Sequence, residues 1–259
     1  MIELTHPIEA IIFDWAGTTV DYGSRAPTSV FMEVFRRNGV EITVAEARGP
    51  MGRTKRDHIL EIASLPRVAE LWFKRHGRTP SDIDIDQMYY DFLPLQKDAL
   101  VAGTDVIPGV PEAVDKLRER GLKIGSSTGY ARELMGIVVP IAARAGYSPD
   151  VVICADDVPS GRPAPWMNFL AAQQLGVYPM DRILVVDDTP IGIEAGLNAG
   201  AITVGVTKTG NSLGLSEAEV SQLSQTDLQS RLANIESDFR AIGAHFTIPS
   251  VADLPMLLL

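Results

Sequence analysis

An α/β fold is what this 259-residue sequence predicts: a doubly wound parallel sheet with an all-helical segment inserted after its first strand. Three observations carry that reading. Short apolar runs recur along the chain, and most end in a loop of small or polar residues. Helical patterns with glycine stop signals separate these runs, and alternating strands and helices imply parallel pairing. Between residues 22 and 100 the rhythm breaks, and only helical periodicity remains.

The elements follow in order. Residues 8–13 (IEAIIF) form an apolar strand that ends at Asp14. The insertion then shows helical periodicity over 28–38, 44–50, 55–63 and 67–76, with an aromatic-rich helical run over 84–100. This divides the chain into a core of residues 1–22 and 101–259 and a helical cap of residues 23–100. In 110–120, Val110, Ala113, Val114 and Leu117 share one helical face, and Gly121 supplies the stop. A strand over 122–125 precedes Ser126-Ser127-Thr128-Gly129, and a weaker one over 151–154 precedes Ala155-Asp156-Asp157. Helix 164–175 ends at Gly176, and strand 183–186 (ILVV) leads into Asp187-Asp188. Helix 190–199 ends at Gly200 and is followed by strand 201–206. A polar helical stretch over 216–243, a final strand (HFTI, 245–248) and a short helix complete the core.

Composition narrows the function classes. A net charge of −10 argues against a broad nucleic-acid or anionic-membrane footprint. A small anionic substrate stays open, because local loops and a metal reverse the sign of a pocket. The single cysteine, Cys154, allows no internal disulfide and fits a reducing cytoplasm. No apolar run approaches ~20 residues, so no membrane span is expected. Met1-Ile2-Glu3-Leu4 lacks the basic and apolar regions of a signal peptide.

Four loops follow predicted core strands: those carrying Asp14, Ser127 and Thr128, Arg162, and Asp188. In an open parallel sheet the carboxyl ends of the strands converge on one crevice. Asp14 precedes Trp15-Ala16-Gly17-Thr18-Thr19, where small residues let backbone N–H groups approach an anion. It suits a nucleophile, a magnesium ligand or an ordinary strand-end turn. Asp188 beside Asp14 would suit a hard, oxygen-seeking ion; a helix N-cap served by Asp187 or Thr189 explains the same region. Ser127, Thr128 and Gly129 suit phosphate oxygens at a helix N-terminus, or a plain cap. Arg162 offers a planar donor fork to phosphate, although solvated loop arginines are common.

The run FDWAGTTVDYG (13–23), with STGY (127–130), GRPAPW (161–166) and DDT (187–189), resembles the phosphonoacetaldehyde hydrolases of the haloacid dehalogenase superfamily. PMGRTKRDH (50–58) resembles that family's cap motif, and VYPM (177–180), NAG (198–200) and GAHFTI (243–248) extend the likeness over nearly the whole chain. The resemblance implies a magnesium-dependent hydrolase of the carbon–phosphorus bond, acting in 2-aminoethylphosphonate degradation. It also implies a homodimer, with contacts near Trp72 and Phe73 or Tyr89 and Tyr90; those aromatics equally suit the insertion's own core.

Site roles follow from the same resemblance. Asp14 is the nucleophile, and magnesium is held by Asp14, the carbonyl of Ala16 and Asp188. Most superfamily members carry an acid two residues after the nucleophile to protonate an oxygen leaving group. Ala16 stands there instead, which suits a carbon leaving group. Lys55 condenses with the substrate aldehyde, so that electrons from the breaking bond collapse into an enamine. Arg53 and Arg56, close in sequence, would favour its neutral amine. His58, three residues on and on the same helical face, assists proton transfers. Arg162 clamps the phosphonate, Thr128 adds a hydroxyl, and Tyr130 and Met51 line the aldehyde end. Two departures stand out: Ser24 replaces a frequent cysteine, and Gly192 replaces an aspartate found in some members, leaving Glu194, Asp187 or water for the outer metal shell. The rival readings are a phosphomonoesterase or sugar-phosphate mutase, against which Ala16 and Lys55 argue, and a non-catalytic phosphate-binding protein.

Overall fold

The structure is a computed structural model that describes residues 6–258; Met1-Ile2-Glu3-Leu4 lies outside them. Six parallel strands form one sheet: β1 (Ala10–Phe13), β2 (Lys123–Ser127), β3 (Val151–Ile153), β4 (Ile183–Asp187), β5 (Ile202–Val206) and β6 (Phe246–Ile248). Their order is β3-β2-β1-β4-β5-β6, so the winding direction reverses between β1 and β4. Phe13 lies opposite Ser126 on one side and Val186 on the other, which puts Asp14 and Asp187 side by side at the strand ends. That is the crevice where ligands bind in such sheets.

The strands read as continuous apolar runs because helices cover both faces. Alternation within β1 sorts its residues: Ile11 and Phe13 enter a core with Ile124, Leu184 and Val186, while Ala10 and Ile12 face Ile153, Val185 and Met167. The expected last strand and short helix are both present.

Between β1 and β2 lie α1 (Ala26–Arg37), α2 (Val44–Arg48), α3 (Lys55–Ser64), α4 (Pro66–His76) and α5 (Asp82–Gly103). They build a separate core in which Phe31, Phe35, Ile59, Ile62, Trp72 and Phe92 pack together. Trp72 is therefore interior, and Tyr89 packs against the same cluster, whereas Phe73 and Tyr90 are exposed.

In the remainder, α6 (Val110–Glu119) and α7 (Arg132–Arg144) cover one face of the sheet and α8 (Trp166–Leu175) the other. Further on come α9 (Pro190–Asn198), α10 (Glu217–Gln222), α11 (Gln225–Ile242) and α12 (Leu254–Leu257). Sequence periodicity leaves α7 undelimited, and it runs 216–243 together as one helix. The chain breaks there at Leu223, which is extended, and restarts where the Ser224 side chain accepts from Asp227 N. Among the described residues no helix is long and apolar enough to cross a membrane.

Candidate active site

Strand ends deliver the polar half of the site. Asp14 follows β1 and is 7% exposed. Arg162, in the loop after β3, donates from Nη1 to Asp14 Oδ1 at 2.7 Å and lies 3.0 Å from Asp187 Oδ2. Its Nη2 donates to the Ser127 carbonyl (3.0 Å) and Oγ (2.9 Å). Ser127 thus aims the arginine. Thr128 does not cap α7, whose N-cap is Ala131; its hydroxyl accepts from Tyr130 N at 3.1 Å.

The three carboxylates Asp14, Asp187 and Asp188 each place an oxygen within 4.8 Å of the others. Burial raises the pKa of Asp14 above the usual carboxylate range, Asp187 adds to that, and Arg162 and Lys55 oppose it. Asp188 is pushed up further, by burial and then by Asp14 and Asp187. Crowded, dry, oxygen-only donors of this kind fit a hard divalent cation, which would relieve their repulsion. Asp188 Oδ2 accepts from Asn211 N (2.7 Å) and Oδ1 from Thr18 Oγ1 (3.2 Å). The N-cap of α9 is Thr189, whose Oγ1 accepts from Gly192 N, so neither aspartate is needed as the cap.

Of the outer-shell alternatives, Asp187 is buried against the site and Glu194 faces solvent. Gly192 makes room for it: a Cβ at 192 would collide with the Asp187 carboxylate. Asp187 Oδ1 accepts from Thr189 N (2.9 Å) and Oγ1 (2.7 Å).

The insertion supplies the amine. Lys55 opens α3, whose start is set by Thr54 accepting from Asp57 N. The lysine is 5% exposed, with Nζ 4.6 Å from the Tyr130 ring centroid and 5.7 Å from that of Phe31. Burial brings its pKa down to about 8; Asp14 pulls it up and Arg162 pushes it down. At pH 7 roughly one such lysine in ten is neutral, against about one in three thousand unperturbed. The expected helpers Arg53 and Arg56 are engaged elsewhere, Arg53 with Glu61 and Arg56 with Asp82 and Asp86. Desolvation does the work expected of them.

His58 is fully buried and stacked on Phe31 at 3.8 Å. Its Nε2 lies 2.9 Å from the Ala47 carbonyl, which assigns the proton to Nε2 and leaves Nδ1 as a bare, unpartnered acceptor. Burial holds the ring well below its ordinary pKa, hence neutral.

Both halves meet at a small cavity of about 20 Å³. Asp14, Ala16, Thr128, Gly129, Tyr130 and Arg162 line it from the core, Met51 and Lys55 from the insertion. Ser127, His58 and Asp188 are not among its lining residues. Gly129 allows the close approach: any Cβ there would strike the carbonyl of Arg53. Sequence reasoning saw Thr189 only as a helix cap and missed that it lines the cavity, as does Pro27, and it missed Asn211, which holds Asp188. The loop after β5 obeys the same strand-end rule as the other four, and that rule points to Asn211. A larger cavity of about 1110 Å³ beside Asp21 and Arg48 contains none of the expected residues.

The family model of haloacid dehalogenase-like hydrolases matches residues 8–200. A phosphonoacetaldehyde hydrolase of Bacillus cereus (strain G9842) is 47% identical over 251 residues, covering 97% of this chain and 95% of that protein. A bifunctional phosphonoacetaldehyde hydrolase/aminoethylphosphonate transaminase of Clostridioides difficile (strain 630) is 44% identical over 252 residues; the chain spans 40% of its length. The crystal structure of a phosphonoacetaldehyde hydrolase-like protein from Oleispira antarctica superposes with a TM-score of 0.96 at 40% identity, covering all of this chain and 94% of that one.

Proposed function

We propose that this chain, which belongs to the haloacid dehalogenase-like hydrolase family, hydrolyses the carbon–phosphorus bond of phosphonoacetaldehyde to acetaldehyde and phosphate. The observation that carries the reading is a desolvated lysine and a carboxylate lining one cavity, with Ala16 where an acid for an oxygen leaving group would sit. A phosphomonoesterase has no use for that amine and would lack its acid, worth ~10²–10⁴-fold.

In this reading Lys55 attacks the aldehyde carbon, and water leaves as the protonated imine (iminium) forms; the bare Nδ1 of His58 is an acceptor for the proton released by the attacking nitrogen. A carboxylate oxygen of Asp14 then bonds to phosphorus as the carbon–phosphorus bond breaks. The released electron pair passes through the iminium to nitrogen, giving an enamine. Protonation of its carbon and hydrolysis return Lys55 and acetaldehyde; water cleaves the aspartyl phosphate. Arg162 and Thr128 hold the phosphonate oxygens, Ser127 aims Arg162, Gly129 lets the two halves close, and Met51 and Tyr130 enclose the aldehyde. A cation held by Asp14, Asp188 and the Ala16 carbonyl, taken here as magnesium, would neutralise phosphoryl charge.

Two physical requirements follow. The cavity has room for about one water, so the insertion must swing away to admit substrate and then close over it. Arg162 must also shift from Asp14 Oδ1 to the incoming phosphonate, with Ser127 and Asp187 retaining hold of it.

The proposed setting is cytoplasmic, downstream of transamination of 2-aminoethylphosphonate, a pairing that the fused Clostridioides difficile relative carries in one chain. The reading includes a homodimer, for which exposed Phe73 and Tyr90 are the candidate contacts. Borohydride reduction in the presence of phosphonoacetaldehyde tests the mechanism: a two-carbon adduct on Lys55 is expected. Rapid hydrolysis of phosphate monoesters without trapping would instead favour the phosphatase reading.

A further inference from the structure

Away from the cavity, a second set of bonds joins the insertion to the core. Arg48, the last residue of α2, sends its guanidinium across the junction. Nη1 donates to the Gly23 carbonyl (2.8 Å), the Asn211 carbonyl (3.2 Å) and Asn211 Oδ1 (3.0 Å); Nη2 donates to the Gly214 carbonyl (3.0 Å). The contact is reciprocal, because Asn211 Nδ2 donates to the Arg48 carbonyl at 3.2 Å. The fit is close: a Cβ at Gly214 would lie 2.8 Å from the guanidinium carbon.

The loop that receives Arg48 also supports the carboxylate end. Asn211 N is the donor to Asp188 Oδ2 at 2.7 Å. Thr209 Oγ1 donates to the Gly17 carbonyl in the nucleophile loop (2.9 Å), and the Thr209 carbonyl accepts from Gly23 N (2.7 Å), in the segment that enters the insertion. Residues 209–211 are therefore wedged between the hinge, the loop after Asp14, and Asp188. A group on the moving part and a group on Asp188 share one short, bonded segment.

We propose that Arg48 and Asn211 form a latch that couples closure of the insertion to cation binding at Asp188. With the insertion closed, Arg48 pins Asn211, and its N–H keeps Asp188 Oδ2 oriented. With the insertion open, Arg48 withdraws, the loop loses three donor contacts (at the Asn211 carbonyl, Asn211 Oδ1 and the Gly214 carbonyl) and its reciprocal bond, and Asp188 loses a fixed partner. Any cation that prefers the oriented carboxylate then favours closure, and closure favours the cation by the same factor. The proposal rests on the reading of Asp188 as a cation ligand.

The test uses the full chain with Mn²⁺ as probe. Binding is followed by electron paramagnetic resonance and backbone amide exchange in residues 44–58 by mass spectrometry. In the wild type, Mn²⁺ slows exchange in that segment. Arg48→Ala is expected to weaken Mn²⁺ binding about five- to tenfold and to abolish the Mn²⁺ effect on exchange. Simple Coulomb reasoning predicts the opposite sign, because removing a cation near Asp188 should tighten Mn²⁺ binding. Asn211→Ala, which keeps the backbone N–H, should weaken binding less, and the double variant should be no worse than Arg48→Ala. Arg48→Lys keeps the charge but not the fork and should behave like the alanine variant; this arm serves if the alanine variant does not fold. Wild-type Mn²⁺ affinity in folded Arg48→Ala or Arg48→Lys would overturn the latch, and so would additive losses in the double variant. A wild-type chain that binds no Mn²⁺ would overturn the cation reading beneath it.

Discussion

The two ends of the site are built on opposite principles. At the carboxylate end each charge has a counter-charge or a donor: Arg162 faces Asp14 and Asp187, Ser127 holds Arg162, and Asn211 and Thr18 hold Asp188. At the amine end three polar side-chain atoms lack partners: Tyr130 Oη, Ser24 Oγ and His58 Nδ1 are buried without hydrogen bonds, near a lysine set among aromatic rings. The first end is a preorganised charge clamp, suited to a phosphonate. In the proposed mechanism the second keeps its base, His58, and its amine nucleophile, Lys55, short of solvent and partners. One polypeptide supplies both by joining two units: the strand ends carry the clamp and Tyr130, and the inserted helices carry Lys55 and His58.

The hardest blow to the amine end is Lys55→Arg, which keeps charge and bulk but cannot form an imine. Acetaldehyde release should fall by at least ~10⁴-fold with the thermal transition intact. Survival of turnover would remove the electron sink from the mechanism, and a phosphonatase without an imine would need another explanation for Ala16.

At the clamp end, Arg162→Ala should lower kcat/KM by about 10²–10³-fold. Imine formation takes place at Lys55 and His58 and does not use Arg162 directly, so borohydride trapping at saturating substrate should persist. A variant that lost trapping as severely as turnover would show that the two ends are not separable.

A pH profile probes the amine end. Lys55 is a base whose pKa is depressed to about 8, so its reactive neutral form is depleted as pH falls. Below that value kcat/KM should drop about tenfold per pH unit, provided imine formation limits the rate. Restoring solvent to the amine, for example with Phe31→Ser, should move the acid limb to higher pH. An unmoved limb would assign it to another group.

The smallest expected effects contrast two buried serines. Ser127→Ala removes a satisfied acceptor of Arg162 and should cost about 1 kcal/mol in denaturant unfolding. Ser24→Ala removes an unsatisfied hydroxyl and should be neutral or mildly stabilising. Equal costs would erase the distinction between the two ends.

Much of this was legible in the residue order. Apolar runs ending in Asp14, Ser127 and Asp187 foretold parallel strands whose ends meet. The break in rhythm after residue 22 foretold the helical insertion; Lys55 stood out only through the resemblance of PMGRTKRDH to a family cap motif. The strands and the insertion were readable from local properties: periodicity, stop signals and short spacings. Helix α7 escaped because nothing local delimited it, and the polar stretch from 216 broke in two on a serine cap that periodicity does not register.

Only the tertiary structure decided the rest. It turned Arg53 and Arg56 away toward Glu61, Asp82 and Asp86 and left burial to lower the Lys55 pKa. It put Asp187 into the space above Gly192, and joined Arg48 to Asn211 across 163 residues of chain. Solvent exposure, electrostatic partners and steric room are properties of space, and residues distant in the chain acquire them only when folding brings them together.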